Sequence, residues 1–365
     1  MAKKNAATKF INLILSAFLS KKPVSNFDLG SPRKFLIVRQ HNQLGDLLAG
    51  VSLFRAIKET YPQSHITLIV SPFNYPGLIK NKFIDRMFVF DKKKIFNPEY
   101  FSEFLNLLRE GYDVAIVPVV VSISFTSNFI ARISKSKIRI GPESLNGDIN
   151  DSRYLFDRRI KLDWRKHPDS NVSERSLDIV RPFGISTTNF SSEISFDKDD
   201  LRVAEKFIAE LKLETGELLI GLHVGAGKPN NRWSLQKYVS LINDLNSKYK
   251  VKFFLTGSSS DKEELEYIKN NCSIEAALYL NKEIPQVAAL ISKSDLFISN
   301  DTGIMHVAGS TETPQISIFG PTNPFNWAPI GNNKYFIRKS ELIDDVSVQD
   351  VFNLCSTILS KSDSY

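Results

Sequence analysis

Cysteine is nearly absent: Cys272 and Cys355 are the only two in 365 residues. Far apart and outside any spaced set, they exclude a disulfide framework and a zinc site, and they fit a reducing compartment. No apolar run reaches the ~20 residues that a bilayer crossing takes. No G-x-G-x-x-G follows the first apolar run, and there is neither a Walker lysine nor a serine nucleophile elbow. The dinucleotide-binding, P-loop and α/β-hydrolase readings are therefore disfavoured. The lysines are dispersed, without zinc-finger spacing, an RRM signature or a base-reading basic helix. No nucleic-acid partner is expected, although the net charge of +7 suits phosphate-bearing ligands or anionic membrane surfaces.

What is present is ordinary for a soluble globular protein, with 42% hydrophobic and 24% charged residues in a length that suits two domains. The first 30 residues differ in kind. Lys3, Lys4, Lys9, Lys21 and Lys22 surround the apolar run from Phe10 to Leu19. At helical spacing Ala7, Phe10, Ile11, Ile14, Leu15 and Phe18 share one face. A helix lying on an anionic membrane through residues 5–22 and a helix docked on the protein's own surface both satisfy that pattern. A signal peptide fits less well, since no small-x-small cleavage site precedes the returning lysines.

From Lys34 short apolar runs alternate with helical patterns, which predicts a mostly parallel sheet. Strands are expected at 34–39, 66–70, 87–90, 114–121 and 138–141, with helices at 46–59, 100–110 and 173–181. The charged stretch 141–166 reads as loops and linker. The alternation then restarts, with strands at 218–224, 252–256, 295–299 and 315–319. Helices are expected at 201–211, 235–248, 261–270, 285–292, from 303, and at 346–359. The fold class is α/β, with two Rossmann-like doubly wound domains facing across a cleft. The divisions are a basic amphipathic extension over 1–30, a first domain over 31–185, a second over 186–340 and a C-terminal helix over 341–365.

Chemistry-bearing residues gather at the strand-to-helix turns. Asn300-Asp301-Thr302-Gly303 ends a buried strand and opens a helix, whose free N–H groups and dipole suit a phosphate. Asp301 would repel phosphate there and is better suited to accept from sugar hydroxyls; a plain helix cap is the competing reading. Gly225-Ala226-Gly227, followed by Lys228 and Arg232, is a second phosphate-compatible turn. Asp261, four residues after Gly257, is placed either for ribose hydroxyls or for capping. Asp46, at the first strand-to-helix turn, suits a general base facing the cleft, or again a cap. His41 and His223 are open between lining the cleft and a structural role.

In this order the motifs resemble glycosyltransferase family 9, the heptosyltransferases, of GT-B fold. The resemblance runs from Phe35 to about Pro329 and is strongest in Ser299-Asn300-Asp301-Thr302-Gly303-Ile304-Met305-His306-Val307-Ala308, followed by Ile318-Phe319-Gly320-Pro321-Thr322-Asn323-Pro324. It implies an inverting, metal-independent enzyme that needs no cofactor, in keeping with the lack of a convincing Asp-x-Asp pair. The implied donor is a nucleotide sugar such as ADP-heptose, and the implied acceptor a lipopolysaccharide or related lipid-linked glycan at the cytoplasmic membrane face. By resemblance Asp46 is the catalytic base in an acceptor-side domain, Asp301 holds the donor sugar, Thr302 and Gly303 form the diphosphate turn, and Asp261 lies near the ribose.

Three departures stand out. Asn231 occupies a position where the family often has Lys, leaving Lys228 or Arg232 to supply the cation. The approach from Arg39 to Asp46 is longer and richer in amides, and Ser52 replaces a family Pro. A nucleotide-sugar epimerase or hydrolase, and a non-catalytic sugar-nucleotide-binding protein, are the rival readings.

Overall fold

The computed structural model describes residues 14–40 and 43–362, with side chains to 360. The chain forms two compact units. One runs to Tyr75 and resumes over Asn81–Phe190; the other takes Pro76–Lys80 and everything from Ser191. The short excursion is held in the second unit by Lys80, whose Nζ lies 2.6 Å from Asp197 and 2.7 Å from Asp200.

The first unit is built on a sheet in the order β3-β2-β1-β4-β5-β6, with β7 also pairing with β5. Its strands are β1 Lys34–Arg39, β2 His65–Val70, β3 Arg86–Val89, β4 Tyr112–Ile116, β5 Ser136–Leu145, β6 Asp148–Ile149 and β7 Arg158–Leu162. All pairs are parallel except β5 with β6. β1 is buried after its first residue, as its unbroken apolar run requires of a strand covered on both faces. Beyond residue 40 its helices are α1 Leu44–Ala49, α2 Val51–Thr60, α3 Pro98–Arg109, α4 Phe125–Ile133 and α5 Val172–Arg175.

The second unit carries six parallel strands in the order β10-β9-β8-β11-β12-β13. They are β8 Leu218–His223, β9 Val251–Gly257, β10 Ala276–Leu280, β11 Leu296–Asn300, β12 Gln315–Ile318 and β13 Lys334–Ile337. Its helices are α6 Lys198–Leu211, α7 Leu235–Lys248, α8 Lys262–Asn271, α9 Ile284–Ile291, α10 Gly303–Gly309, α11 Pro324–Trp327 and α12 Val348–Ser362. Each unit is thus a doubly wound Rossmann-like layer, and in each the strand order reverses beside its first strand, β1 or β8. Ligands of such sheets bind at the carboxyl ends there.

Four local expectations are corrected. The helix expected over 46–59 is two helices broken at Gly50. The Arg39 guanidinium takes the Asp46 carbonyl at 2.6 Å, which the Gly50 N–H would otherwise receive, and that N–H turns to Leu47 instead. The fourth strand ends at Ile116, because Pro118 has no N–H to continue the ladder. Residues 141–166 are not a linker: the second half of β5 and the whole of β6 and β7 lie within them. The charges of Arg158-Arg159-Ile160-Lys161-Leu162 hid an alternating edge strand. The segment 173–181 holds only the short α5, followed by turns.

Residues 14–19 are helical, and the chain after them docks on the first unit. The N–H groups of Lys21 and Val24 donate to the carbonyls of Tyr154 and Asp157, and Arg132 Nε to that of Leu19. Phe18 is nevertheless 82% exposed and Ile14 is exposed. Ala7, Phe10 and Ile11, like His41 and Asn42, lie outside the described residues. Among the described residues no helix is long and apolar enough to cross a membrane.

Candidate active site

Strand β11 is fully buried and ends on Asn300, whose side chain fastens three segments. Its Nδ2 donates to the carbonyls of Val224 (2.9 Å) and Gly225 (3.1 Å), at the carboxyl end of β8. Its Oδ1 accepts from the Trp233 N–H (3.2 Å) and the Tyr238 hydroxyl (3.0 Å), at the start of α7. All four capacities of one amide are used, so the Gly225 turn and the Asp301 turn are clasped together.

Asp301 is half-buried beyond that clasp. Asn231 Nδ2 donates to its Oδ2 at 2.9 Å and lies 3.3 Å from its carbonyl oxygen. Burial pushes the Asp301 carboxyl above the usual carboxylate range, while the Thr322 hydrogen bond and the Lys228 charge draw it back. Thr302 has extended backbone at the N-cap of α10, but its side chain caps nothing and its buried Oγ1 has no partner among the described residues. The cap reading of this turn therefore finds no capping side chain, and Gly303 opens a helix of seven residues.

The neighbouring turn explains its glycine. A Cβ on Gly225 would overlap Oδ1 of Asp261. The other carboxylate oxygen of Asp261 accepts from Ser258 N–H (2.8 Å) and Ser258 Oγ (2.9 Å), so Asp261 braces its own turn while Oδ1 faces Gly225. His223 is buried beside them. Its Nδ1 lies 3.0 Å from the Thr256 carbonyl and donates to it, leaving Nε2 as an acceptor on the Gly225 side. Burial holds this imidazole below its ordinary pKa, with the Asp261 charge and the Thr256 hydrogen bond opposing, which favours the neutral ring. Gly225→Ala should displace Asp261 and release the Ser258 turn. The expected result is a roughly tenfold loss of nucleotide affinity by calorimetry, about 1.4 kcal/mol, with little change in melting temperature.

The basic side chains divide. Arg232 pairs with the buried Glu264 and donates to the Ala226 carbonyl at 3.2 Å, which commits it to the scaffold. Lys228 is exposed and close enough to Asp301 to act on its charge. At the far end of α10, Lys334 donates to the carbonyls of Thr311 and Thr313, each at 2.6 Å, and burial lowers its pKa to about 8. His306, also buried, is lowered to about 4 by desolvation and packs edge-on to Trp327.

In the first unit Asp46 is buried in the first turn of α1, at the carboxyl end of β1. Arg39, also buried, binds the Asp46 backbone. Desolvation lowers the guanidinium pKa and the Asp46 charge raises it in part. Among the described residues no group of three or more His, Cys, Asp or Glu is placed to hold a metal ion.

Sequence reasoning placed Gly225, Asp261, Asp301, Thr302 and Gly303 on turns of one sheet, and the second unit brings them together. It missed Arg39, read only as a strand end, and the partnership of Asn231 with Asp301, which spans 70 positions. The one signal for the clasp was an amide ending an otherwise apolar strand.

The sequence profile of "Glycosyltransferase family 9 (heptosyltransferase)" matches residues 102–353. The lipopolysaccharide heptosyltransferase 3 of Escherichia coli is 23% identical over 304 residues, 79% of this chain and 84% of that protein. The solved structure of a family 9 glycosyl transferase from Veillonella parvula superposes with a TM-score of 0.77 at 19% identity, covering 90% of this chain and 97% of that one. That of E. coli ADP-heptose lps heptosyltransferase II gives 0.72 at 19% identity, covering 90% and 99%.

Proposed function

The chain belongs to glycosyltransferase family 9, and on that premise we propose that this glycosyltransferase moves a heptose from ADP-heptose to a lipopolysaccharide-type acceptor, with inversion and without a metal. A lipid-anchored acceptor would bring the reaction to the cytoplasmic face of the membrane, where the exposed Phe18 offers an apolar contact. The observation that carries the donor assignment is the Asp301 carboxylate held by Asn231 at a turn clasped to Gly225.

In this reading Asp301 accepts from hydroxyls of the donor sugar, and Asp261 with Nε2 of His223 accepts from the ribose. Backbone N–H groups at Thr302 and Gly303, with Lys228, take the diphosphate, so fixed dipoles meet the charge that develops on the leaving group. Asp46 removes the proton of the acceptor hydroxyl as its oxygen attacks the anomeric carbon from the face opposite the departing ADP. The transition state has oxocarbenium character, as in glycoside hydrolysis. The Lys that the resemblance leads one to expect at 231 is replaced by an amide, which here steadies a carboxylate instead of a phosphate.

The direct test is ADP release from ADP-heptose in the presence of heptose-free lipopolysaccharide, with the product's anomeric configuration read by NMR. Retention of configuration, or turnover only with another nucleotide sugar, overturns the proposal in its mechanism or its donor. A thermal-shift series with ADP, GDP, UDP and dTDP should show stabilisation by ADP, since a ligand that binds only the folded chain raises its stability.

A pH experiment follows from Asp301. Its raised pKa means that the accepting, ionised form is lost as pH falls through a value above the ordinary carboxylate range. Donor KM should rise on the acid side accordingly. Asn231→Lys puts a cation where the amide sits, favours the ionised form and should move that rise to lower pH. An unshifted profile would detach Asn231 from the control of Asp301.

A further inference from the structure

The carboxyl edge of the first sheet carries apolar side chains that no described residue of its unit covers. Phe96 is 93% exposed and Phe73 is 73% exposed. They stand on neighbouring loops, because β2 and β3 pair in parallel and each loop leaves the carboxyl end of its strand. β1 pairs with β2 on one side and β4 on the other, and beyond the end of β4 Val121 is half exposed. Asp46 follows β1. The exposed tips therefore flank the proposed base on both sides along one edge.

The Phe96 loop is built to hold that exposure. Asp91 accepts from Lys93 N–H at 2.9 Å, and Asp91 N–H donates to the Tyr100 hydroxyl at 2.6 Å, which donates to the Val89 carbonyl at 2.9 Å. Asn97 caps α3 by accepting from Tyr100 N–H at 3.0 Å. A hydrogen-bonded turn on each side thus fixes a phenylalanine that gains almost no burial from folding. Separated from it by one residue, Lys92, Lys93 and Lys94 are all exposed, and none forms an ion pair among the described residues.

Uncompensated cations beside an exposed aromatic tip have one economical occupant. A protein partner would call for a contiguous apolar face, whereas these tips stand singly on separate loops. An anionic leaflet accepts separate tips below its headgroups and attracts each lysine. We propose that this edge, through Phe73, Phe96 and Lys92–Lys94, docks the enzyme on an anionic phospholipid leaflet. The inference rests on the proposed lipid-anchored acceptor and adds which surface meets the lipid. Docking by this edge turns the Asp46 end of the sheet toward the leaflet that carries the acceptor hydroxyl.

The test is sedimentation of the full chain with vesicles of phosphatidylcholine alone and with about a third phosphatidylglycerol. Wild type should bind the anionic vesicles only. Lys92→Glu/Lys93→Glu/Lys94→Glu should weaken binding by on the order of a hundredfold, and Phe96→Ala by about tenfold. Both variants should keep the wild-type thermal shift with ADP, which certifies the fold, and should transfer normally to a delipidated acceptor. Loop variants that bind vesicles as wild type does, or binding lost only on Phe18→Ala, overturn the proposal. So does a wild type that binds neither vesicle. Failure of transfer with vesicle binding intact would instead strike the proposed reaction and leave the docking surface standing.

Discussion

Asp46→Asn should lower kcat by about a thousandfold, within the range that a positioned general base contributes, while ADP affinity and donor KM stay near their wild-type values. Asparagine keeps the shape and both heteroatom positions but cannot accept the hydroxyl proton. The residue lies in the first unit and every proposed donor contact lies in the second, which is why binding should survive. The main competing outcome is structural. Asp46 is buried near buried Arg39, and removing one of two neighbouring buried charges can destabilise by several kcal/mol. Arg39, however, hydrogen-bonds the Asp46 carbonyl, not a carboxylate oxygen, and that bond is kept in Asn. The melting temperature should therefore change by only a few degrees. A variant that turns over at the wild-type rate removes Asp46 from catalysis. A variant that loses ADP binding as well has been disturbed in its fold, and Asp46→Glu, which restores an acid one methylene out of place, then decides by whether partial activity returns.

The sheets were readable because parallel strands covered on both faces are continuous apolar runs, as in Phe35–Val38 and Leu219–Leu222. The edge β3 was readable too, but both edges of the second sheet, β10 and β13, were not. Tyr335 and Phe336 of β13 are partly exposed and their apolar run is only three residues long, and β10, though apolar throughout Ala276–Leu280, is buried at only two of its five positions. Neither strand was expected from the sequence. β7 was hidden by its arginines, of which Arg158 donates to the Asn26 carbonyl at 2.5 Å and Arg159 to the Lys21 carbonyl at 2.8 Å. Those charges mark the face that receives the N-terminal segment. A local reading sees only their polarity and assigns a loop.

The site divided in the same way. Glycines and acids at strand-to-helix turns were legible because the turn itself dictates them: Gly225 gives way to Asp261, and Gly303 opens α10. Partnerships were not legible. In the sequence Arg232 and Lys228 are interchangeable as cations; in the fold Glu264 claims the first. Asn231 looked like a missing lysine, when its amide has a carboxylate of its own to serve. Gly50 reads as interior to a helix because nothing local announces that Arg39 will donate to the carbonyl of Asp46.

Asn300→Leu should destabilise the second unit by about 3–5 kcal/mol, because it strands four buried partners at once. The Trp233 N–H, the Tyr238 hydroxyl and the carbonyls of Val224 and Gly225 each lose the amide, and Asn300 itself has no exposed surface through which water could replace it. For a unit of this size that corresponds to a fall in melting temperature of roughly 10 °C. ADP affinity should fall in parallel, since the amide joins the Gly225 turn to the strand that delivers Asp301. Asn300→Asp separates the two effects. The introduced carboxyl keeps both acceptor contacts but turns an oxygen toward two carbonyls, so burial and repulsion raise its pKa. With a folded pKa above the unfolded one, the penalty is largest above the folded value and is relieved as pH falls, when the protonated acid can donate to one carbonyl again. The variant should therefore melt closer to wild type at pH 5 than at pH 8. A leucine variant that melts with wild type would show that the clasp carries no stability. One that melts low yet binds ADP unchanged would show that the two turns keep their geometry without it.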